Sequence, residues 1–264
     1  KIGHTGTLDP DATGVLPVAL GKGTKLVDLL TDKEKTYEAV LHLGIDTDTQ
    51  DMSGTVLEER PVNVTEEEVR KVLKSFVGEQ LQVPPMYSAL KVNGKKLYEL
   101  AREGKTVERK ARPVCFYEIE PLEFHLPLVK IRVTCSKGTY IRTLCHDIGE
   151  KLGCGGCMEE LLRSRVGRYS LFESHTLAQV EAAVADGTVQ DMIDPVEAVL
   201  AEYPALYADS YGDRLLANGN PLSDNLVRPQ HKEGWVRMYA SDGTFTGIFQ
   251  WDAGKKKYYP VKMF

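Results

Sequence analysis

The chain has 264 residues, of which 42% are hydrophobic and 27% are charged, and its formal net charge at pH 7 is −5. This length suits one large domain, or a large domain with a small one, and the composition is typical of a globular protein with a sizeable core. No apolar run approaches the roughly 20 residues that a membrane-spanning helix needs. Five cysteines, an odd number, argue against a disulfide scaffold and favour the reducing cytoplasm.

The first predicted feature is a loop over residues 3–17, with the sequence GHTGTLDPDATGVLP. Glycine permits positive φ and proline fixes φ, so this stretch is unsuited to a regular strand or helix. Asp9 precedes Pro10, which restricts its backbone to the extended region. A short carboxylate on a stiffened loop suits a positioned catalytic group. The alternative is an exposed turn in which the aspartate has an ordinary turn position.

The elements that follow are predicted from apolar periodicity and from capping and turn signals. Alternating apolar residues from Tyr37 predict a half-buried strand, and a capping box of Thr65 and Glu68 predicts a helix that Gly78 ends. In chain order, the predicted elements are a helix over 24–30, a strand over 36–43, a polar loop over 44–54 with a partner strand over 55–59, a helix over 65–77, a turn at Asn93-Gly94, a helix over 97–103, strands over 112–124 and 128–135, a helix from about 140 to 152, a basic strand within 161–172, and helices over 176–186 and 195–201.

From about residue 203 the pattern changes to short strands separated by turn signals. Strands are predicted over 235–240, 244–251 and 258–263, which indicates a small β-rich appendage of about 60 residues.

Arg142 and the cysteine pair at 154 and 157 each raise a question of site chemistry. Arg142 falls in the first turn of a predicted helix, where the helix dipole disfavours a cation unless an anion faces it. The alternative is that Arg142 points to water. Cys154 and Cys157 form a C-x-x-C pair, but a structural zinc site needs a second pair of ligands at suitable spacing, and the sequence has none. We therefore predict no metal site.

Basic residues cluster locally although the net charge is negative, and such clusters can contact the phosphates of a nucleic acid. The alternative for each cluster is a solvated charged face. The candidates for contacts with a nucleic-acid backbone are Lys91, Lys95, Lys96, Arg163 and Arg165.

Several stretches resemble motifs of the TruB-type pseudouridine synthases. In order along the chain, they are the loop 3–17, Lys35-Thr-Tyr37, Pro84-Pro-Met-Tyr-Ser-Ala-Leu-Lys91, Cys135-Ser-Lys-Gly-Thr-Tyr-Ile-Arg-Thr143 and Leu161-Leu-Arg-Ser-Arg-Val-Gly167. The resemblance implies an α+β fold in which helices flank a mixed, largely antiparallel central sheet, with a small C-terminal β-rich domain of PUA type. The implied domains are a catalytic domain over 1–202 and an RNA-binding domain over 203–264.

The resemblance also implies an activity, the isomerisation of uridine to pseudouridine at position 55 in the T-loop of tRNA, without cofactor or metal. Asp9 matches the essential aspartate, which acts as a nucleophile or as a base in a route through a glycal, and both routes stay open. Arg142 matches the arginine that pairs with this carboxylate. A neighbouring cation lowers a carboxyl pKa, typically by about 1–3 units, so we expect a lowered pKa for Asp9.

Four further residues match pocket positions of the family. Tyr37 matches the aromatic residue that stacks on the target base, and Tyr140 matches a second pocket residue. His4 matches the residue that occupies the space of the flipped nucleotide, and Leu161 lines the pocket. Tyr37 and Leu161 are also suited to plain core packing.

The chain departs from the family pattern in two places. The family usually has a Lys-Pro-x-Gly stretch before the loop, whereas this chain begins at Lys1, so we expect an N-terminal strand to be missing here. Leu162 stands where relatives often carry a basic residue.

The implied partner is the T-stem-loop of tRNA, bound by a cytoplasmic monomer with no protein partner and no membrane contact. One alternative is a tRNA-binding or tRNA-folding protein in which catalysis is secondary. Another is a relative that acts within a guide-RNA particle, although the short tail favours the stand-alone bacterial type. A carboxylate glycosidase would need a second acid placed against Asp9, and Asp11 is not obviously placed for that role.

Overall fold

The computed structural model describes residues 1–92 and 94–264, which form two compact units. The larger unit comprises His4–Pro17 and Asp28–Ser174, and the smaller unit comprises Lys1–Gly3, Val18–Val27 and His175–Phe264. The domain boundary near residue 203 stays a prediction. The predicted turn at Asn93-Gly94 includes Asn93, which lies outside the described residues. No helix in the described part of the chain has the length and apolar character needed to cross a membrane.

A seven-stranded sheet forms the centre of the larger unit. All of its pairings are antiparallel except one, because the short strand Thr13–Gly14 runs parallel to its neighbour Gly156–Val166. The mixed, largely antiparallel sheet predicted above is therefore confirmed. The remaining strand order is Tyr169–Ser170, Gly156–Val166, Lys35–Leu43, Leu128–Cys135, Arg112–His125 and Gly78–Gln82.

The core of the larger unit lies between this sheet and two helices, Glu66–Phe76 and Ile141–Leu152. The predicted alternation on the strand Lys35–Leu43 is confirmed, since Tyr37, Ala39, Leu41 and Leu43 are all buried. These positions share one face because successive side chains of a strand point to opposite sides of the sheet.

The helix Glu66–Phe76 begins as its sequence predicts. The Thr65 backbone N donates to Glu68 Oε2 at 2.8 Å, and the Glu68 backbone N donates to Thr65 Oγ1 at 3.3 Å, so the capping box is formed. Val69 and Leu73 are the buried residues of its apolar stripe.

Gly149 lets the helix Ile141–Leu152 approach the backbone of the next segment. A Cβ at residue 149 would overlap the main chain at Gly155 and Gly156. We expect Gly149→Ala to lower the free energy of unfolding by about 1–3 kcal/mol, because overpacking forces the helix away from the sheet. Urea unfolding measures the loss. Lys71→Ala, at an exposed position of the other helix, is the control and should change stability by less than about 0.5 kcal/mol. Equal effects of the two substitutions would contradict this account.

Shorter elements complete the larger unit. Val56–Glu59 pairs with Ile45–Thr47, so the segment predicted as a loop begins with a short strand. The other elements are the strand pair Lys91–Val92 and Lys95–Lys96, the helices Val27–Thr31 and Leu97–Arg102, and the 3₁₀ turn Leu171–Glu173.

The smaller unit contains a six-stranded sheet with its own hydrophobic core. The three strands predicted from residue 235 onward are confirmed to within one residue at each end. In spatial order, the strands are Leu222–Ser223, Lys257–Met263, Phe245–Asp252, Trp235–Tyr239, Ala205–Ala208 and Val227–Arg228. The remaining elements are the helices Leu177–Asp186, Val196–Val199 and Ser210–Leu216, the strand pair Ile2–His4 and Val18–Leu20, and the 3₁₀ segments Gly21–Leu26, Val189–Met192 and Asp224–Leu226.

Two details of the smaller unit differ from the sequence predictions. The helix predicted over 195–201 spans only Val196–Val199, with Pro195 at its N-cap position. The helix Ser210–Leu216 was not predicted; Asp209 caps it by accepting from the backbone N of Tyr211 and Gly212. Its seven residues are too few for a clear apolar repeat.

Candidate active site

Asp9 lies in the loop over residues 5–17, which several backbone hydrogen bonds hold in place. The Thr5 N donates to the Pro17 carbonyl at 3.3 Å and closes the base of the loop, and the Ala12 N donates to the Asp9 carbonyl at 3.0 Å. The Asp9 side chain is 40% exposed, so it faces a space that a ligand can enter.

Arg142 binds this carboxylate with two donors. Its Nε lies 2.9 Å from Asp9 Oδ2, and its Nη2 donates to Asp9 Oδ1 at 3.1 Å. The Arg142 side chain is only 6% exposed, and its other donors reach the carbonyls of Thr49 at 3.1 Å and Tyr87 at 2.8 Å. Asp51 Oδ2 lies 3.4 Å from Nη1 and adds a second negative charge. The guanidinium therefore joins three separate segments around Asp9.

Asp51 is a residue of this site that the sequence analysis did not assign. Thr49 Oγ1 donates to Asp51 Oδ1 at 2.7 Å, and Ser53 Oγ donates to the same oxygen at 2.6 Å. Its side chain is 16% exposed and faces Arg142. The sequence analysis described this segment only as a polar loop. The available signal was an acidic loop directly after the strand that begins near Tyr37.

The pKa of Asp9 shifts in the direction opposite to the one expected from its pairing with Arg142. The pKa of Asp9 is raised, chiefly because burial disfavours the charged form and also because Asp51 and Asp11 lie nearby. Arg142 opposes this shift but does not reverse it. The expected net lowering of the Asp9 pKa is therefore wrong. That expectation considered the positive charge of Arg142 but not the desolvation of the carboxylate on burial.

Two predicted pocket tyrosines lie within the electrostatic reach of Asp9. Burial raises the pKa of Tyr37 to about 12, and it also raises the pKa of Tyr140; the Asp9 charge contributes to both shifts. Tyr140 is the N-cap residue of the helix Ile141–Leu152. Its backbone N donates to Gln82 Oε1 at 2.8 Å, and Gln82 Nε2 donates to its carbonyl at 3.0 Å. Both tyrosines are neutral at physiological pH.

His4 and Leu161 have weaker links to this group. His4 is exposed, and its Nδ1 accepts from the Gly6 backbone N at 3.3 Å. Leu161 is half-buried, pairs with Ala39 across the central sheet and packs against the core. Their assigned roles stay predictions.

Four of the predicted phosphate contacts are at least partly accessible. Lys91 and Lys95 are exposed on a short strand pair, and Lys95 Nζ lies 3.1 Å from Glu103 Oε1. Lys96 is half-buried, and its Nζ donates to the Tyr98 hydroxyl at 3.1 Å. The remaining one, Arg165, has a side chain that is 43% exposed and is paired with Glu34 at 2.9 Å.

Arg163 is buried, so its prediction as a surface contact with RNA phosphates is wrong. It is 2% exposed. Its Nε donates to the Val15 carbonyl at 2.7 Å, and its Nη2 donates to the Gly6 carbonyl at 3.1 Å. Arg163 and Arg165 stand two residues apart and would share a face in a regular strand, but the strand register shifts between them, and only Arg165 is accessible.

Two family models match consecutive parts of the chain. Residues 1–141 match the model of the TruB family pseudouridylate synthase N-terminal domain, and residues 142–201 match that of the tRNA pseudouridylate synthase B C-terminal domain. The tRNA pseudouridine synthase B of Lachnoclostridium phytofermentans is 50% identical over 100% of this chain and 90% of its own. The enzyme of the same name from Clostridium novyi is 47% identical over 94% of this chain and 85% of its own.

Solved structures share the fold at lower identity. A chain of an H/ACA RNP bound to a substrate RNA that contains 2'-deoxyuridine has a TM-score of 0.71 and 26% identity, covering 100% of this chain and 76% of that one. A chain of a Cbf5-Nop10-Gar1 complex gives 0.71 and 27% with the same coverage. The two family models together match more than half of the sequence. The chain therefore belongs to the TruB family of pseudouridylate synthases.

Proposed function

We propose that this protein isomerises uridine to pseudouridine at position 55 in the T-loop of tRNA. The observation that carries the proposal is the pairing of Asp9 with the buried Arg142, with Tyr37 and Tyr140 nearby. The names of relatives that are about half identical over most of their length support tRNA as the substrate.

The reaction needs a carboxylate and a shielded pocket. The base must be detached from the ribose at N1, rotated and rejoined through C5. In one route the ionised Asp9 attacks C1′ as the N1–C1′ bond breaks, and C5 of the rotated base later displaces it. In the other route Asp9 removes the C2′ proton as the N1–C1′ bond breaks, which gives a C1′=C2′ glycal and the uracil anion; C5 then adds to C1′ while the proton returns to C2′. In both routes C5 finally loses its proton and N1 gains one. Both routes require the ionised carboxylate, and the Arg142 guanidinium stabilises that form.

The target uridine must leave its stack before either route can begin. A base inside a folded loop is inaccessible, so enzymes that act on bases extrude them into a pocket. Tyr37 and Leu161 supply an aromatic platform and an apolar wall, Tyr140 a second ring, and His4 a filler for the vacated space. An apolar pocket also lowers the local dielectric and strengthens the contact between Asp9 and Arg142.

Binding of the tRNA backbone is assigned to the accessible basic residues Lys91, Lys95, Lys96 and Arg165. The region from residue 203 serves as a PUA-like RNA-binding domain. Lys232 Nζ lies 4.7 Å from the Trp251 ring centroid, and Lys255 Nζ lies 4.8 Å from that of Tyr259. Cations beside aromatic faces suit single-stranded RNA, which is bound through phosphates and stacking. The protein acts as a cytoplasmic monomer in this proposal.

A second candidate function is tRNA binding or folding in which catalysis is secondary. A role in a guide-RNA particle has less support. The chains from the H/ACA RNP and the Cbf5-Nop10-Gar1 complex are 26–27% identical to this chain, whereas the tRNA pseudouridine synthases B are 47–50% identical to it.

Incubation with a T-stem-loop RNA, followed by nucleoside analysis, tests the proposal. We expect pseudouridine at the position equivalent to 55, and none in a control RNA with cytidine there. Pseudouridine at other uridines of the loop would contradict the assigned site. Binding without any pseudouridine would favour the second candidate function.

The raised pKa of Asp9 leads to a prediction for the pH dependence of kcat/KM, which reports the free enzyme. The reactive form is ionised, so kcat/KM should rise with pH through the pKa of Asp9. We expect the midpoint to lie above the ordinary aspartate value of about 3.9, because burial raises this pKa. Asp51→Asn removes a charge that raises it and should lower the midpoint. A wild-type midpoint at or below the ordinary value would contradict the prediction.

A further inference from the structure

We propose that Arg163 is a positioning residue that holds the loop over residues 5–17 in the conformation that presents Asp9 to Arg142. The inference rests on the proposed function and adds to it a residue that does not touch the substrate. It starts from two side-chain hydrogen bonds of Arg163, which go to the Gly6 and Val15 carbonyls on either side of Asp9 in the sequence.

A single guanidinium therefore connects both arms of the loop. Gly6 lies three residues before Asp9, and Val15 lies six residues after it. Because the planar fork of arginine has its donors at fixed angles, it constrains the two carbonyls relative to each other. The loop has few alternatives for these acceptors, since Arg163 itself is 2% exposed and water has little access to the contacts.

The main chain of Arg163 holds the second arm as well. The Val15 N donates to the Arg163 carbonyl at 2.8 Å, and Thr13–Gly14 pairs in parallel with Leu162 and Arg163. A Cβ at Gly14 would overlap the Arg163 backbone, and the φ of Gly14 is 116°. Glycine at this position thus permits a close approach that no other residue allows.

The charge of Arg163 has no carboxylate to explain it. Among the described residues, no Asp or Glu oxygen lies within 4.0 Å of its guanidinium, in contrast to Arg142. The neighbouring cation Lys35 is also buried, and its Nζ donates to the carbonyls of Thr31 and Lys33, both at 3.0 Å. Burying a cation without an opposite charge costs free energy, and the hydrogen bonds to the Gly6 and Val15 carbonyls offset part of that cost.

Position, rather than charge, is what this arrangement supplies to the reaction. The Asp9 carboxylate must keep its two contacts with Arg142 and remain directed at the ribose. A displacement of about 1 Å costs about 10²-fold in rate, even when it originates away from the reacting atoms. RNA binding by exposed lysines does not depend on the loop in this way.

The test compares Arg163→Lys and Arg163→Ala with the wild type in single turnover on a saturating T-stem-loop RNA. Lysine keeps the charge and can reach only one of the two carbonyls. We expect the rate to fall about 10-fold or more for lysine and about 10²-fold for alanine, with the Kd for RNA within about threefold. Added guanidinium should restore part of the rate of Arg163→Ala. Arg132→Ala, on the strand Leu128–Cys135 of the same sheet and with a 44% exposed side chain, is the control and should keep the wild-type rate.

The results distinguish a positioning role of Arg163 from a general role in stability or RNA binding. A retained Kd shows that the variant is folded, and if the alanine variant does not fold, the lysine variant decides alone. Unchanged rates in folded variants, or equal losses in rate and RNA binding, would overturn the positioning role while leaving the proposed function intact. A wild-type protein that makes no pseudouridine would overturn the proposed function and this role with it.

Discussion

Asp9→Asn is expected to lower the rate of pseudouridine formation by at least about 10³-fold, because an amide neither attacks the ribose nor removes a proton at neutral pH. The amide oxygen can still accept from Arg142, so the loop should keep its conformation and the tRNA should bind with nearly unchanged Kd. Single-turnover assays with a labelled T-stem-loop measure the rate, and filter binding measures the Kd.

Asp11→Asn is the matched control for this substitution. Asp11 lies two residues away in the same loop, is exposed, and influences Asp9 only through its charge. We expect its rate to stay within about threefold of the wild type, since an exposed charge is well screened by solvent. An Asp9→Asn variant that isomerises at the wild-type rate would exclude Asp9 as the reacting carboxylate. Comparable losses in both variants would indicate a general effect of loop charge.

Arg142→Met is expected to damage both stability and catalysis. The substitution leaves Asp51 without its cationic partner and leaves the carbonyls of Thr49 and Tyr87 without a donor. Removing one partner of a buried ion pair costs on the order of 3–5 kcal/mol. Asp9 is 40% exposed, so solvent screens its share and the lower end of that range applies. The turnover rate should fall by about 10²-fold or more, because Asp9 loses its orientation and its counter-charge.

Arg142→Lys separates the two contributions. Lysine restores the positive charge but not the fork that joins the two Asp9 oxygens to two carbonyls. We expect thermal unfolding to show part of the lost stability regained, while the single-turnover rate remains well below that of the wild type. A lysine variant with full activity would mean that charge alone is required at this position. An unaltered melting temperature for Arg142→Met would contradict the described network.

The sequence predicted those helices and strands whose capping residues or apolar periodicity lie within a few consecutive residues. Thr65 and Glu68 predict the start of a helix because both partners of a capping box lie within one turn. Tyr37 and the alternate residues after it announce a strand because a two-residue period places them on one buried face. The family motifs predicted that Asp9 pairs with Arg142, and the structure joins their side chains although 133 residues separate them.

The pKa shift of Asp9, the burial of Arg163 and the contact of Asp51 with Arg142 depend on tertiary packing, so local sequence patterns could not predict them. The direction of the Asp9 pKa shift depends on how much water the folded chain removes, and no motif carries that quantity. Arg163 was predicted as a surface cation because it belongs to a local cluster of basic residues, yet the folded chain buries it against Gly6 and Val15. Asp51 has a role only through its distance to Arg142, which tertiary structure determines.

The parallel pairing of Thr13–Gly14 with the strand Gly156–Val166 has a consequence for synthesis on the ribosome. The nascent chain emerges from its N-terminus, so Asp9 is exposed to solvent long before Arg142 and Arg163 have been translated. Until the strand that contains Arg163 leaves the exit tunnel, the loop has neither its backbone partner nor its side-chain brace. Asp9 is therefore synthesised early, but its site is complete only after the last strands of the larger unit have been translated. A prematurely terminated chain would carry Asp9 without a working site.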